Sequence, residues 1–364
     1  MMTKLEIKNF KAFRTLQLTI SPLTVLTGLN STGKSSVLQA LLLLKQSYGE
    51  ASQGNNLILN GAYLNLGLSN DILNEKTEEE LIEINYSADG KTTKLPYKAA
   101  LDASELVSNR SQFPLLKLRI FLQKMHYISA ARITPASVFD LSGRRSSELD
   151  FGIDGRFAIS YLSDHFDMIV SHQHLQAGLQ DKTLSNLTNY WMRKVSPDVK
   201  VEPSINPKNR TAELYYSFAE GDYVTRSFKS TNVGFGVTHV LPIIVQILAA
   251  QKGDILLIEN PESHLHPAGQ SMLGKMFACA AADGIQIIAE THSDHVINGI
   301  RLAVIDQIIH SNNVAIKYFF RDVESDYEHR IKELKMNDAG QLDEWPEGFM
   351  DEWEKALSKL IFGE

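Results

Sequence analysis

One stretch constrains this chain more than any other: Gly28-Leu29-Asn30-Ser31-Thr32-Gly33-Lys34-Ser35, followed by Ser36. It is a complete G-x-x-x-x-G-K-S. Backbone N–H groups that converge on a phosphate chain need glycines there, because glycine lets the backbone turn freely and come close. A helix starting at the end of the stretch aims its positive dipole end at the same anion. Lys34 is then expected on the β- and γ-phosphates, and the Ser35 hydroxyl on Mg²⁺. The flanks agree. Leu23 to Leu26 is a short apolar run, as for a strand covered on both faces. Val37, Leu38, Leu41, Leu42 and Leu44 then repeat at helical spacing. The stretch predicts a site for ATP or GTP.

Three further segments carry chemistry. Ile255-Leu256-Leu257-Ile258-Glu259-Asn260-Pro261-Glu262 reads as a buried strand ending in a carboxylate, the device that holds Mg²⁺ in P-loop proteins. Glu259 stands at that end. Ile285 to Ala289 is a second such strand, followed by Glu290-Thr291-His292-Ser293-Asp294. A lone His is most often an ordinary loop residue, but behind a carboxylate strand His292 is placed to hydrogen-bond a γ-phosphate. Asn232-Val233-Gly234-Phe235-Gly236-Val237-Thr238 leads into the apolar helix Val237 to Leu248. Gly234, Gly236 and Thr238 suit a second anion site at a helix N-terminus, and equally a plain glycine loop with an N-cap.

The remaining pattern is mixed. Leu5 and Ile7, then Leu16, Leu18 and Ile20, alternate with polar residues as strands. Leu57 to Leu101 reads as a β-meander with a hairpin turn at Asp89-Gly90. Leu116 to Tyr127 suits strand or helix. Gly143 to Ser147 is a polar break, and Phe157 to Met192 favours helices that Pro197, Pro203 and Pro207 bring to an end. Leu214 to Phe218 and Tyr223 to Phe228 resemble a hairpin across Gly221. Strands alternating with helices predict an α/β fold with a β-rich flap and an inserted helical lobe. Three segments follow: 1–150 with the P-loop and meander, 151–250 as the helical lobe, and 251–364 with the carboxylate strand and tail.

Composition narrows the setting. Lys plus Arg number 36 against 43 Asp plus Glu, a net charge of −7, which argues against a wholesale nucleic-acid coat but leaves room for a local basic groove. One cysteine, Cys279, rules out a disulfide within the chain and suits a reducing compartment. No run is apolar enough for a membrane helix, and Lys4, Glu6 and Lys8 break any signal-peptide pattern, so a cytoplasmic protein is expected. His264, His266 and His292 invite a zinc site, yet zinc needs three or four converging ligands and the cysteine lies in an apolar run. Arg132 is a candidate to approach a nucleotide or DNA, and Arg144 and Arg145 to touch a phosphate backbone, but all three read by default as solvated surface residues. No sustained heptad run is present.

In this order the four segments resemble the ABC-type ATPase heads of the structural-maintenance, RecF-like and OLD-like families. Leu5-Glu6-Ile7-Lys8-Asn9-Phe10-Lys11-Ala12-Phe13 is similar to their first strand, and Gly28 to Ser36 to their G-x-N-x-x-G-K-S-S form. Ile255 to Pro267 resembles the stretch holding their Mg²⁺ carboxylate and dimer loop, Thr291-His292-Ser293 their switch histidine, and Gly234 to Thr238 their signature loop. The tail from Trp345 to Glu352 resembles a bacterial branch of these ATPases. The resemblance implies a P-loop NTPase head with a mixed sheet, using ATP and Mg²⁺. It implies a homodimer with ATP sandwiched between heads, so that Gly234, Gly236 and Thr238 act in trans. Small heads of this kind also resemble ATPase subunits of anti-phage defence systems, which implies a separate effector subunit. Two alternatives stand beside this reading, a non-catalytic ATP-gated scaffold and a RecF-like DNA-repair ATPase that contacts DNA, and no membrane is implied. OLD-like relatives append a nuclease; the residues after His292 hold no ordered set of acidic motifs for one, and Asp338, Asp343 and Asp351 read as a solvated surface.

One departure matters. Where the family reads Asp-Glu, this chain reads Glu259-Asn260. An amide orients water but takes no proton, so slow hydrolysis is expected, with Glu262 as the substitute base to consider.

Overall fold

The first two strands show how the pattern becomes structure. In β1 (Met2–Phe10) and β2 (Phe13–Thr19), Leu5 pairs with Leu18 and Ile7 with Leu16, so the apolar residues of both strands line one buried face. The computed structural model describes residues 1–48, 55–109, 114–142, 149, 151–220, 223–322, 328–346, 349 and 352–362. The polar break at Gly143 to Ser147 and the turn at Gly221 lie outside them. The chain divides into two units, residues 1–125 with 314–364, and residues 126–313.

In the first unit β3 (Leu23–Gly28) runs into the glycine loop and α1 (Lys34–Tyr48). The meander follows as β4 (Leu57–Ile58), a short α2 (Ser69–Ile72), β5 (Leu81–Ala88), β6 (Lys91–Thr93), β7 (Pro96–Lys98) and β8 (Glu105–Ser108). These strands extend the β1–β2 pair into one antiparallel sheet of order β2-β1-β5-β7-β8-β4, with β6 turned back on β5. Asp89 and Gly90 both take positive φ, +50° and +72°, as the expected two-residue hairpin turn requires. Leu116 to Tyr127, ambiguous in sequence, resolves into both options: α3 (Leu115–Gln123), then β9 (Met125–Ile128).

The second unit continues with α4 (Ala158–Asp164) and α5 (Leu184–Val195), the latter capped by the Thr183 hydroxyl. β10 (Val199–Asn206) and β11 (Thr211–Glu220) pair along their whole length, with β12 (Tyr223–Val224) and β13 (Phe228–Lys229) beside β11. Pro203, expected to help end a helical segment, instead lies inside β10 opposite Leu214. β10 is an edge strand, where a missing N–H costs no ladder bond. Then come α6 (Phe235–Ala249), β14 (Ile255–Glu259), α7 (Pro267–Ala282), β15 (Gln286–Glu290) and α8 (Asp294–Ile305). β14 and β15 are parallel and almost wholly buried, which is why they read as mainly apolar runs, with Gln286 buried at the start of β15.

The chain then returns to the first unit as β16 (Val314–Asp322), β17 (Glu328–Leu334) and α9 (Glu352–Phe362). β16 lies parallel to β3 and brings Phe319 opposite Gly28, at the threshold of the glycine loop. No helix among the described residues is long and apolar enough to cross a membrane.

Candidate nucleotide site

The glycine loop is held in shape by its own unit. Gly28 and Gly33 have φ of +135° and +99°. A Cβ on Gly28 would lie 2.1 Å from the Phe319 carbonyl oxygen, and one on Gly33 would lie 2.6 Å from the Phe13 ring. The loop therefore keeps its backbone against β16 and against the β1–β2 turn, where no larger residue fits. Thr32 Oγ1 donates to the Leu29 carbonyl at 2.7 Å, and Arg321 Nη2 donates to the Ser31 carbonyl at 2.9 Å. Lys34 is almost wholly buried, and its ammonium donates to the carbonyls of Gly28 at 3.1 Å and Leu29 at 2.6 Å. Leu29, Asn30, Ser31 and Ser35 are exposed on the rim, while Ser36 is buried in α1. This cradle fits a polyphosphate: glycine backbone, a lysine head held inside the loop and the N-terminus of a 15-residue helix behind it. A cavity of about 800 Å³ opens beside the loop in the same unit, lined among others by Lys11, Arg14, Arg321, Glu328 and His329.

The second unit gathers Glu259, Asn260, Glu262 and His292 at the ends of β14 and β15. The register places Glu259 beside Glu290, a nearly buried carboxylate at the tip of the neighbouring strand. Burial raises the Glu259 carboxyl above its ordinary range, partly offset by a hydrogen bond from the Tyr127 hydroxyl. The Ala130 N–H also points to Glu259 Oε2, at 3.4 Å. Asn260 takes φ +42°, a left-handed conformation that asparagine tolerates better than glutamate. Its N–H donates to the Glu290 carbonyl at 2.8 Å. Glu262 accepts from Thr291 Oγ1 at 2.7 Å and from the His292 N–H at 2.9 Å. Both of its oxygens thus brace the His292 turn, whose side chain is exposed. Ser293 caps α8 by accepting from the Val296 N–H.

The glycine segment before α6 divides by role. Gly234 is the N-cap with open space around it, whereas a Cβ on Gly236 would lie 2.2 Å from the His264 carbonyl oxygen. The Thr238 hydroxyl is fully buried and shares a 3.2 Å hydrogen bond with the Tyr216 hydroxyl. Of the three residues singled out in sequence, Thr238 fixes α6 to β11, and the exposed donors of this segment come from Gly234 and its neighbours.

Sequence reasoning missed two residues of this corner and misplaced a third. Tyr127 and Glu290 carried no motif of their own, although Glu290 ends an apolar strand just as Glu259 does. Arg132, read as a solvated surface residue, is 4% exposed. Its buried guanidinium has a pKa drawn down to about 10 by desolvation. Among the described residues no group of three or more His, Cys, Asp or Glu side chains gathers to hold a metal through protein ligands alone.

His239, on α6, is buried with its Nε2 lacking a hydrogen-bond partner, and its pKa is drawn down to about 4, mainly by burial. The folded chain therefore takes this proton later than the unfolded chain does. Stability is expected to fall as pH drops from about 6.5, the ordinary value, towards about 4. Urea midpoints at pH 7 and pH 5 check this, and His239→Gln should shrink the difference.

Fold and loop together give the P-loop architecture also seen in SMC head structures. A crystal structure of an SMC head bound to the C-winged helix domain of ScpA matches with a TM-score of 0.57 at 15% identity, covering 93% of this chain and 98% of the other. An SMC head with an extended coiled coil, bound to the C-terminal domain of ScpA from Pyrococcus furiosus, matches with a TM-score of 0.54 at 13% identity, covering 99% and 98%. The chain belongs to the family described as "AAA domain, putative AbiEii toxin, Type IV TA system", whose model matches residues 23–298. A second family model, "Protein of unknown function (DUF3696)", matches residues 309–360. No curated protein sequence matches this chain.

Proposed function

We propose that this ATPase is a slowly hydrolysing, nucleotide-controlled switch that dimerises head to head around ATP. The observation that carries the proposal is the Glu259–Asn260 corner: a half-buried carboxylate for the metal, followed by an amide where a base would stand. The cradle of Gly28 to Ser36 would hold the phosphate chain, with Lys34 exchanging a loop carbonyl for a phosphate oxygen. Ser35 and Glu259 are the residues that would hold Mg²⁺, whose chemical contribution is to neutralise charge on the β- and γ-phosphates. Lys11, Arg14 and Arg321 line the cavity proposed for the nucleoside. His292 is the γ-phosphate reporter, set in place by Glu262. Gly234 and Gly236 are proposed to face the partner's nucleotide, with Thr238 supporting their helix from inside.

Asn260 orients water without accepting its proton, and both Glu262 oxygens are already engaged. Hydrolysis is therefore expected to run roughly 10²-fold or more below that of an ATPase with a positioned base. Single-turnover assays on the wild type and Asn260→Ala check this. Turnover rivalling vigorous ATPases, and unchanged in Asn260→Ala, would overturn it. The same residue favours one other reading, a gated scaffold in which bound ATP survives intact for the life of the complex.

The family description names a toxin of a type IV toxin–antitoxin system. We further propose a role in anti-phage defence in which the ATPase controls a separate effector subunit, the role that the resemblance of small heads of this kind implies. A cellular protection phenotype lost with Lys34→Ala is the corresponding expectation.

A further inference from the structure

Arg132 occupies an unusual place for a buried cation. Its Nε donates to the His239 carbonyl at 3.1 Å, its Nη1 to the carbonyls of Ser129 at 3.0 Å and Glu259 at 2.7 Å, and its Nη2 to the Asn260 carbonyl at 2.8 Å. Burying a guanidinium is costly unless its donors are met, and here four of its five N–H groups meet backbone oxygens. The identities of those oxygens matter. His239 lies in the second turn of α6, directly behind the glycine segment Gly234 to Thr238. Glu259 and Asn260 form the corner at the end of β14. One rigid, planar group thus joins the helix that carries the signature-like loop to the peptide planes of the hydrolytic corner.

The corner depends on that hold. Asn260 has a left-handed φ, which asparagine tolerates, and its peptide groups are held on both sides. Its N–H is fixed by the Glu290 carbonyl and its own carbonyl by Arg132. A second contact runs parallel to the first. The Phe235 and His264 rings lie 4.4 Å apart, the His239 and His264 rings 5.1 Å apart, and Gly236 lies against the His264 carbonyl. A displacement at the start of α6 therefore reaches residues 259–264 by two routes, and Arg132 is the one that ends on Asn260.

We infer that Arg132 is the positioning residue that couples engagement of the Gly234–Thr238 loop to the geometry of the Glu259–Asn260 corner in the same chain. This rests on the switch reading above, in which that loop is engaged on dimerisation. Arg132 itself touches no nucleotide; it sets where the corner holds water and metal. Lysine keeps the charge but not the planar fork, so it reaches fewer of the four carbonyls.

The test is hydrogen exchange on the full chain, wild type and Arg132→Lys, with and without a non-hydrolysable ATP analogue, alongside single-turnover hydrolysis and nucleotide affinity. In the wild type the analogue should protect residues 234–241 and 259–264 together. In Arg132→Lys the first segment should respond while the second does not. Affinity should stay within about twofold while the hydrolysis rate falls on the order of 10²-fold, the scale of a reacting group misplaced by about 1 Å. Two results overturn the inference: a joint response that persists in Arg132→Lys, or affinity that falls in step with rate. A wild type whose 234–241 segment ignores the analogue would instead refute the switch reading itself, which separates the two failures. Should Arg132→Lys melt well below the wild type, Arg132→Gln studied below both melting temperatures gives the same comparison.

Discussion

Lys34→Ala is expected to reduce ATP affinity by about 10² to 10³-fold, the scale on which a single charged or preorganised phosphate contact is felt, and to stop hydrolysis. Lys34 is buried within the loop, where its ammonium donates to the carbonyls of Gly28 and Leu29, a few residues back along the chain. Its removal takes away the loop's own cation without opening the hydrophobic interior. Thermal stability in the absence of nucleotide should therefore change far less than binding. Titration with a fluorescent ATP analogue, beside a melting curve, checks both halves. A variant that binds ATP as the wild type does would remove Lys34 from the site.

Gly28→Ala should do the opposite, damaging fold and site together. The added methyl would lie 2.1 Å from the Phe319 carbonyl and 2.9 Å from its nitrogen. Both are backbone atoms of the parallel partner strand, so no rotamer change relieves the clash. The φ of +135° adds strain for any residue with a Cβ. Overpacking of this kind costs about 1–3 kcal/mol, and the ladder between β3 and β16 must open to accommodate it. A melting temperature lowered by several degrees and loss of ATP binding are the expected results. A variant that melts and binds like the wild type would show that the loop does not rest on β16 as described.

The contrast between these two substitutions marks what was legible in sequence. The P-loop, its flanking strand and helix, and the β14 and β15 strands were readable because glycine placement and mainly apolar runs are local properties. The hairpin at Asp89-Gly90 was readable for the same reason. What Gly28 rests on was not, because Phe319 is nearly 300 residues away and its contribution is a carbonyl, which any residue type supplies. Arg132 shows the same limit more sharply. A buried guanidinium is recognised by its acceptors, and all four are backbone oxygens that leave no trace in residue identity. Pro203 in β10 went unread because tolerance of proline depends on a strand's being at a sheet edge. Thr238 was legible as a hydroxyl near a helix start, while its burial against Tyr216 depends on β11.

Asn260 is the residue where sequence and structure inform each other. In sequence it is a departure, an amide in place of a base. In the structure it is also a conformational choice, since φ +42° suits asparagine. On the proposed reading, the corner is built around a residue that holds the turn and would orient water rather than drive fast turnover, as suits a switch whose bound state lasts.

The central claim, that ATP joins two chains and is consumed slowly while they are joined, is tested most directly by following mass in solution through a single turnover with Mg²⁺-ATP. The account predicts a shift from one chain to two on adding ATP, slow hydrolysis within the dimer, and return to one chain as the nucleotide is consumed. A chain that binds and cleaves ATP while remaining a monomer throughout would contradict it.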